Sequence, residues 1–376
     1  MRPTAARRRA WIVLIVLVAV TFVATTAVAC VIPLASRDDF NVVDWEFHHV
    51  TDKWLYLGGR LVNGHLSTQE EDARLTRYFD LTARITRLTP GAANDPAAAR
   101  ELRDVREQRD AIENDVEAIM AGRVTETLEH VGLTSSVPLF PDARWVFPPV
   151  AVEFDSPPNQ LVVSPRDHIE LIDDKPLRFD LSPAEIVSIE AKEEKNGSRS
   201  ALVEPLAGVA TYPSLVEPDT NYQSLAETVA HEWVHQYLFF HPLGFNYSAS
   251  VERRTLNETV ATLAGQELGF LVVLEHPLHP PYDHPVAPPR SQSVDVGATL
   301  QQLRTDVDAL LAFGRIDAAE ALMEQRQQEL ASRGVLYRRI NQAFFAFRNV
   351  YASQPGSVDP IGPKITELRA RAGSVG

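Results

Sequence analysis

Tyr222–Phe240 reads YQSLAETVAHEWVHQYLFF and Ser250–Leu268 reads SVERRTLNETVATLAGQEL, two stretches of helical length separated by a short break. Within the first stands His231-Glu232-Trp233-Val234-His235. At 3.6 residues per turn, histidines four apart lie on one face a turn apart, so both imidazoles can reach one ion, and Glu232 is offset enough to face a water on it. The chain has a single cysteine, Cys30, so no disulfide or multi-cysteine metal site can form within it. Any metal must be held by the 11 histidines and the carboxylates, which points to His/Glu zinc chemistry. A catalytic zinc ion takes three protein ligands and keeps its fourth position for water, so one more ligand is needed from another element. Glu258 lies 23 positions past His235 on the second stretch. That leaves room to turn at His241-Pro242-Leu243-Gly244 and run antiparallel past the histidines.

These residues resemble the gluzincins, zinc metallopeptidases with a His-Glu-x-x-His helix and a glutamate ligand on a following helix, often within Asn-Glu-x-x-Ala. The matching positions are His231, Glu232, His235, Asn257, Glu258 and Ala261, within roughly 208–270. The resemblance implies His231, His235 and Glu258 as zinc ligands and Glu232 as general base in peptide hydrolysis. Where some members place an aspartate that supports a histidine, this chain has Thr262. The Gly-x-Met-Glu-Asn string with which one aminopeptidase family grips the substrate amine is absent, so exopeptidase action has no support here. Tyr247, between the two helices, is the expected oxyanion donor, with Tyr351 and Tyr337 as rivals. Gly208–Tyr212 reads either as an edge strand that pairs with an extended peptide or as an ordinary sheet strand.

Working outward, 67–133 carries apolar residues at spacings of three, four and seven, including Leu75, Tyr78, Leu81, Val105, Ile112, Val116 and Ile119. The pattern predicts a helical hairpin broken between Pro90-Gly91 and Asp95-Pro96, serving as a packing arm or spacer or as a partner-binding arm. The periodicity then shortens to two in Val150–Phe154 and Gln160–Val163, which predicts a short hairpin turning at Ser156–Asn159. Further strands are expected at His168–Ile172 and Gly208–Tyr212, with a helix over Pro183–Lys192 between them. After the two site stretches, helices are expected at Val294–Arg333 and Val335–Ala352. His276, His279 and His284 share a proline-rich loop that fixes no ligand spacing, which argues against a second metal site there. The expected fold class is α+β, mostly helical, with a small sheet followed by a zinc-binding helix pair. The domains expected are residues 1–36 as membrane anchor or signal, 37–135 as the hairpin region and 136–376 as a metallopeptidase-like domain.

Ala10–Ser36 carries no charged residue and is long enough to span a bilayer, with Arg7, Arg8 and Arg9 just ahead of it. That asymmetry predicts a cytoplasmic N-terminus and an extracytoplasmic body. Ala27-Val28-Ala29-Cys30 also fits a cleavage site or a lipidation site at Cys30, and the body lies outside in every case. The formal charge is −14, and about −18 without Arg2, Arg7, Arg8 and Arg9, so nucleic acid is not an expected partner. The function expected from these readings is a membrane-attached, extracytoplasmic zinc metallopeptidase acting on a peptide or protein substrate. The alternative is a non-catalytic envelope protein with a structural or relic zinc site and a partner-binding hairpin.

Overall fold

A computed structural model describes residues 38–46, 48–49, 53, 66–137, 140–279 and 295–375. The expected membrane segment, Cys30 and His284 lie outside these residues. Among the described residues, no helix is long and apolar enough to cross a membrane. The fold is mostly helical α+β with small sheets.

Helices α1 (Thr68–Ala92) and α2 (Pro96–His130) form the hairpin. Ser67 caps α1 reciprocally with Glu70: its hydroxyl accepts from the Glu70 amide, while the Glu70 carboxylate accepts from the Ser67 amide at 2.8 Å. Asp95 caps α2 through the Ala97 amide, with Pro96 opening the helix where no amide proton is needed. The break falls within the expected Pro90–Pro96 stretch, with α1 running through Pro90 to Ala92, since a proline in the last turn removes only one ladder hydrogen bond. The base of the hairpin is core rather than spacer. Leu75, Tyr78, Phe79, Val116, Met120 and Val124 pack in one cluster with Leu225, Val229, Trp233, Ala261 and Leu268 of the two site helices. Arg123 cements this join, donating to Asp72 at 2.7 Å and to the Tyr222 hydroxyl at 2.9 Å.

The strands are β1 (Ser135–Val137), β2 (Phe140–Trp145), β3 (Val152–Phe154), β4 (Asn159–Pro165), β5 (Asp173–Leu177), β6 (Arg199–Pro205), β7 (Gly208–Val209) and β8 (Ser214–Val216). The expected hairpin between Val150–Phe154 and Gln160–Val163 does not form. β3 pairs in parallel with β8, while β4 sits antiparallel between β5 and β6, so Ser156–Asn159 passes from one sheet to another. His168–Ile172 is likewise not a strand; the segment that pairs with β4 is β5, with Leu161 opposite Lys175. On the central sheet the two-residue alternation of side chains divides two cores. Val162 and Leu202 face α7 (Val296–Ala312) and α9 (Gln342–Val350), whereas Leu161, Val163, Ala201 and Val203 pack with Ile186 and Ile189 of α3 (Pro183–Glu194).

Helices α4 (Tyr222–Phe239), the four-residue α5 (Pro242–Phe245) and α6 (Val251–Glu275) form the site pair. The single helix expected over Val294–Arg333 is two, α7 and α8 (Ile316–Ser332), because Gly314 between them takes φ +69°, a left-handed conformation that ends a helix. In the C-terminal part only Gln342–Val350 of Val335–Ala352 is helical, with the Asn341 side chain accepting from the Phe344 amide at its start. A last helix, α10 (Ile361–Ala372), was not anticipated from the sequence.

Candidate metal centre

The Asn221 side chain starts α4 by accepting the Ser224 amide, and the apolar face that follows fixes the helix in the core. Trp233, fully buried, donates its indole N–H to the Pro148 carbonyl at 2.7 Å. On the adjoining face the Gln236 amide donates to the Thr211 carbonyl and to Ser214 Oγ, pinning α4 to the turn between β7 and β8. The rotation of α4 is thereby set from two sides, and the stripe carrying His231 and His235 is left facing α6.

Small residues every fourth position bring α6 close. Ala261, Gly265 and Gly269 follow one stripe, and a β-carbon on Gly265 would stand 3.0 Å from the Cα of His231. On Gly269 it would meet the backbone nitrogen of Glu227 at 2.6 Å. The small residues permit that approach, at Gly269 glycine alone, and two to three turns earlier on α6 it delivers Asn257 and Glu258 to the histidines.

Nε2 of His231 and Nε2 of His235 are 3.0 Å apart. Glu258 Oε2 lies 3.2 Å from His235 Nε2 and 3.6 Å from His231 Nε2. Ligand bonds of about 2.0–2.1 Å in a tetrahedron put donors roughly 3.3 Å from one another, so these separations fit one small ion. His231, Glu232 and His235 also bring donor atoms within 4.8 Å of one another, a group that could hold a metal ion. Of the two carboxylates, Glu258 closes a triangle with the two imidazole nitrogens, its Oε2 within 3.6 Å of both. Among the described residues no second group of this kind occurs.

Asn257 Oδ1 lies 2.6 Å from Nδ1 of His235, and an amide oxygen can only accept there. The proton of His235 thus sits on Nδ1 when the ring is neutral, which directs the Nε2 lone pair toward His231 and Glu258. The partner of His235 is Asn257 rather than Thr262. Burial alone would lower the His235 pKa, but the Glu258 carboxylate outweighs it and pushes it up to about 9. Glu258 is held far below its ordinary range: burial opposes ionisation, and the His235 and His231 imidazoles overcome it.

Glu232 is 6 % exposed and lies against β7, where a β-carbon on Gly208 would come within 2.6 Å of its Oε1. Burial raises its pKa, opposed by His231 and His235 and reinforced by the charge of Glu258. β7 is the edge of its three-stranded sheet but is only Gly208–Val209, shorter than the expected Gly208–Tyr212, because Thr211 turns back to donate to the Val209 carbonyl.

The tyrosines separate by position. Tyr247 donates its hydroxyl to Glu258 Oε1 at 2.6 Å. Tyr351, just past α9, is raised in pKa by burial and then by the charges of Glu258, Tyr247 and Glu232, which puts its hydroxyl within electrostatic reach of the centre. Tyr337 instead stacks edge-on against Phe344 under Arg348, in the core between α9 and the central sheet. Asn257, Gly208 and Tyr351 are the members of this site whose roles the sequence left unassigned or secondary. No family model, curated relative or solved structure matches this chain.

Proposed function

We propose that this chain is a zinc metallopeptidase of the gluzincin kind, hydrolysing peptide bonds. The observation that carries the reading is the buried Glu232 carboxylate, set beside a three-donor cluster in which Glu258 already supplies the carboxylate. A structural site has no use for a second acid at its open side.

His231, His235 and Glu258 would hold the ion, with Asn257 orienting His235. Bound zinc supplies Lewis acidity for the scissile carbonyl. Glu232 takes a proton from the attacking water and passes it to the leaving amine nitrogen, and its burial suits it to this, since a raised pKa makes a carboxylate a stronger base. The outer edge of β7, beside Glu232, would receive an extended substrate backbone. An anchor at residues 10–36, or a lipid on Cys30, would hold the body outside the cytoplasm.

The test is metal analysis of the purified full-length chain in detergent, combined with cleavage of a peptide library. About one zinc per chain and chelator-sensitive cleavage are expected. Zinc without cleavage would move the non-catalytic reading to first place. Protease added to intact cells should digest the body, and a protected body would overturn its placement outside.

A further inference from the structure

The Tyr247 hydroxyl has a single proton, and that proton is directed at Glu258 Oε1 over 2.6 Å. Behind it stands a continuous brace. The Arg254 guanidinium lies over the Tyr247 ring, 5.5 Å from its centroid, and pairs with Asp174 Oδ1 at 2.7 Å. Asp174 Oδ2 in turn accepts from the Gln160 side chain at 2.7 Å. The other side of the tyrosine meets His235 edge-on, with ring centroids 6.2 Å apart. Glu258 thus has one oxygen, Oε2, toward the histidines and the other occupied by a hydroxyl that the β4–β5 pair holds in place.

We infer that Tyr247 is a positioning residue for the metal centre rather than an oxyanion donor: it holds Glu258 to one-oxygen ligation and is itself held by Arg254 and Asp174. This rests on the metal-centre reading of the site but not on peptide hydrolysis. Swinging the hydroxyl toward a substrate would strip a buried, charged oxygen of its donor, which is unfavourable because nothing replaces the lost hydrogen bond. Left in place, the hydroxyl competes with the ion for Oε1 and so favours ligation through Oε2 alone, which leaves room for a further ligand. The same hydrogen bond orients the ligand, as outer partners do in metal sites generally.

The experiment uses the full-length chain, its Tyr247→Phe variant and its Arg254→Met variant, each loaded with Zn²⁺ or Co²⁺. Phenylalanine keeps the ring, so the fold is expected to survive, and circular dichroism of the metal-free proteins checks this. Competition against a chromophoric chelator should show Zn²⁺ affinity falling roughly 10–100-fold in Tyr247→Phe and less, in the same direction, in Arg254→Met. The visible Co²⁺ bands should weaken in Tyr247→Phe as the carboxylate closes to two-oxygen ligation and coordination number rises, a change that general loosening of the fold would not produce. Parent-like affinity and spectrum in Tyr247→Phe would overturn the inference, and a selective fall in peptide kcat alongside them would return Tyr247 to the substrate. A parent that binds no metal would sink both the metal centre and this inference. A parent that binds metal and cleaves nothing would remove the peptidase reading alone.

Discussion

Asn257 Oδ1 accepts the Nδ1 proton of His235 at 2.6 Å, and the next residue, Glu258, meets the other nitrogen of the same ring at 3.2 Å. Adjacent positions on α6 therefore meet the two nitrogens of one histidine, one from each side. Asn257→Ala should lower Zn²⁺ affinity by about 10–100-fold, because the ring loses the partner that fixes its tautomer and angle. Asn257→Asp retains an acceptor and should stay near the parent. Chelator competition on the three proteins decides it, and equal affinity in the alanine variant would leave His235 oriented by its packing alone.

Glu232→Gln should abolish peptide hydrolysis while leaving the metal content at the parent level. Glutamine has the same shape but cannot take a proton from water, and general-base assistance is worth about 10²–10⁴ in rate. His235→Ala, which removes a donor, should lose metal and activity together. Paired metal analysis and kcat measurements separate these outcomes; a glutamine variant retaining most of its activity would show that another group is the base.

Two glycines predict opposite consequences. A methyl on Gly208 would meet the Glu232 side chain, Oε1 at 2.6 Å and Cδ and Cγ at 3.0 Å, and a side chain can turn aside where backbone cannot, so Gly208→Ala should fold and bind metal but lose activity as the carboxylate is displaced. A methyl on Gly269 would meet the Glu227 backbone nitrogen at 2.6 Å, and backbone cannot step aside. Gly269→Ala should therefore push α6 off α4, costing about 1–3 kcal/mol of stability and weakening metal binding through Glu258. Thermal unfolding and metal titration of both variants test the contrast.

What could be read from the sequence follows the range of the interactions involved. His231, Glu232 and His235 share one helix, so their common face is a matter of local periodicity. The capped starts of α1 and α3, at Ser67 and Ser182, are local in the same sense. The strand partners were not readable, because Val152–Phe154 pairs with Ser214–Val216 some sixty residues away and nothing local distinguishes that partner from Asn159–Pro165. The same holds for the orientation of Asn257 and for Tyr247: both roles depend on how closely α6 crosses α4, which Gly265 and Gly269 set from outside the motif. The break at Gly314 was locally visible as a glycine, but only its left-handed φ makes it a helix end.

The last prediction concerns pH and lies outside the metal centre. Glu113 on α2 has a side chain only 18 % exposed and faces Arg109 at 3.3 Å. Burial pushes its pKa up to about 7; Arg109 opposes the rise, while Asp110, Glu153 and Asp155 add to it, and Tyr78 lies on the facing helix. In the unfolded chain an ordinary carboxyl titrates near 4.5. Between those values the folded protein binds the extra proton, so stability is greatest below the lower value and falls as pH rises through the upper one. Lys53 pairs with Glu117 and with Glu153, the latter at 2.8 Å. Glu113→Gln removes the titration while keeping the size of the side chain. The variant should match the parent at pH 4 and exceed it at pH 8 by at most about 3 kcal/mol, taking 1.36 kcal/mol per unit of pKa. Urea unfolding of both proteins at the two pH values measures the difference directly, and a gap that failed to widen between pH 4 and pH 8 would mean that the Glu113 carboxylate is adequately solvated or paired in the folded protein.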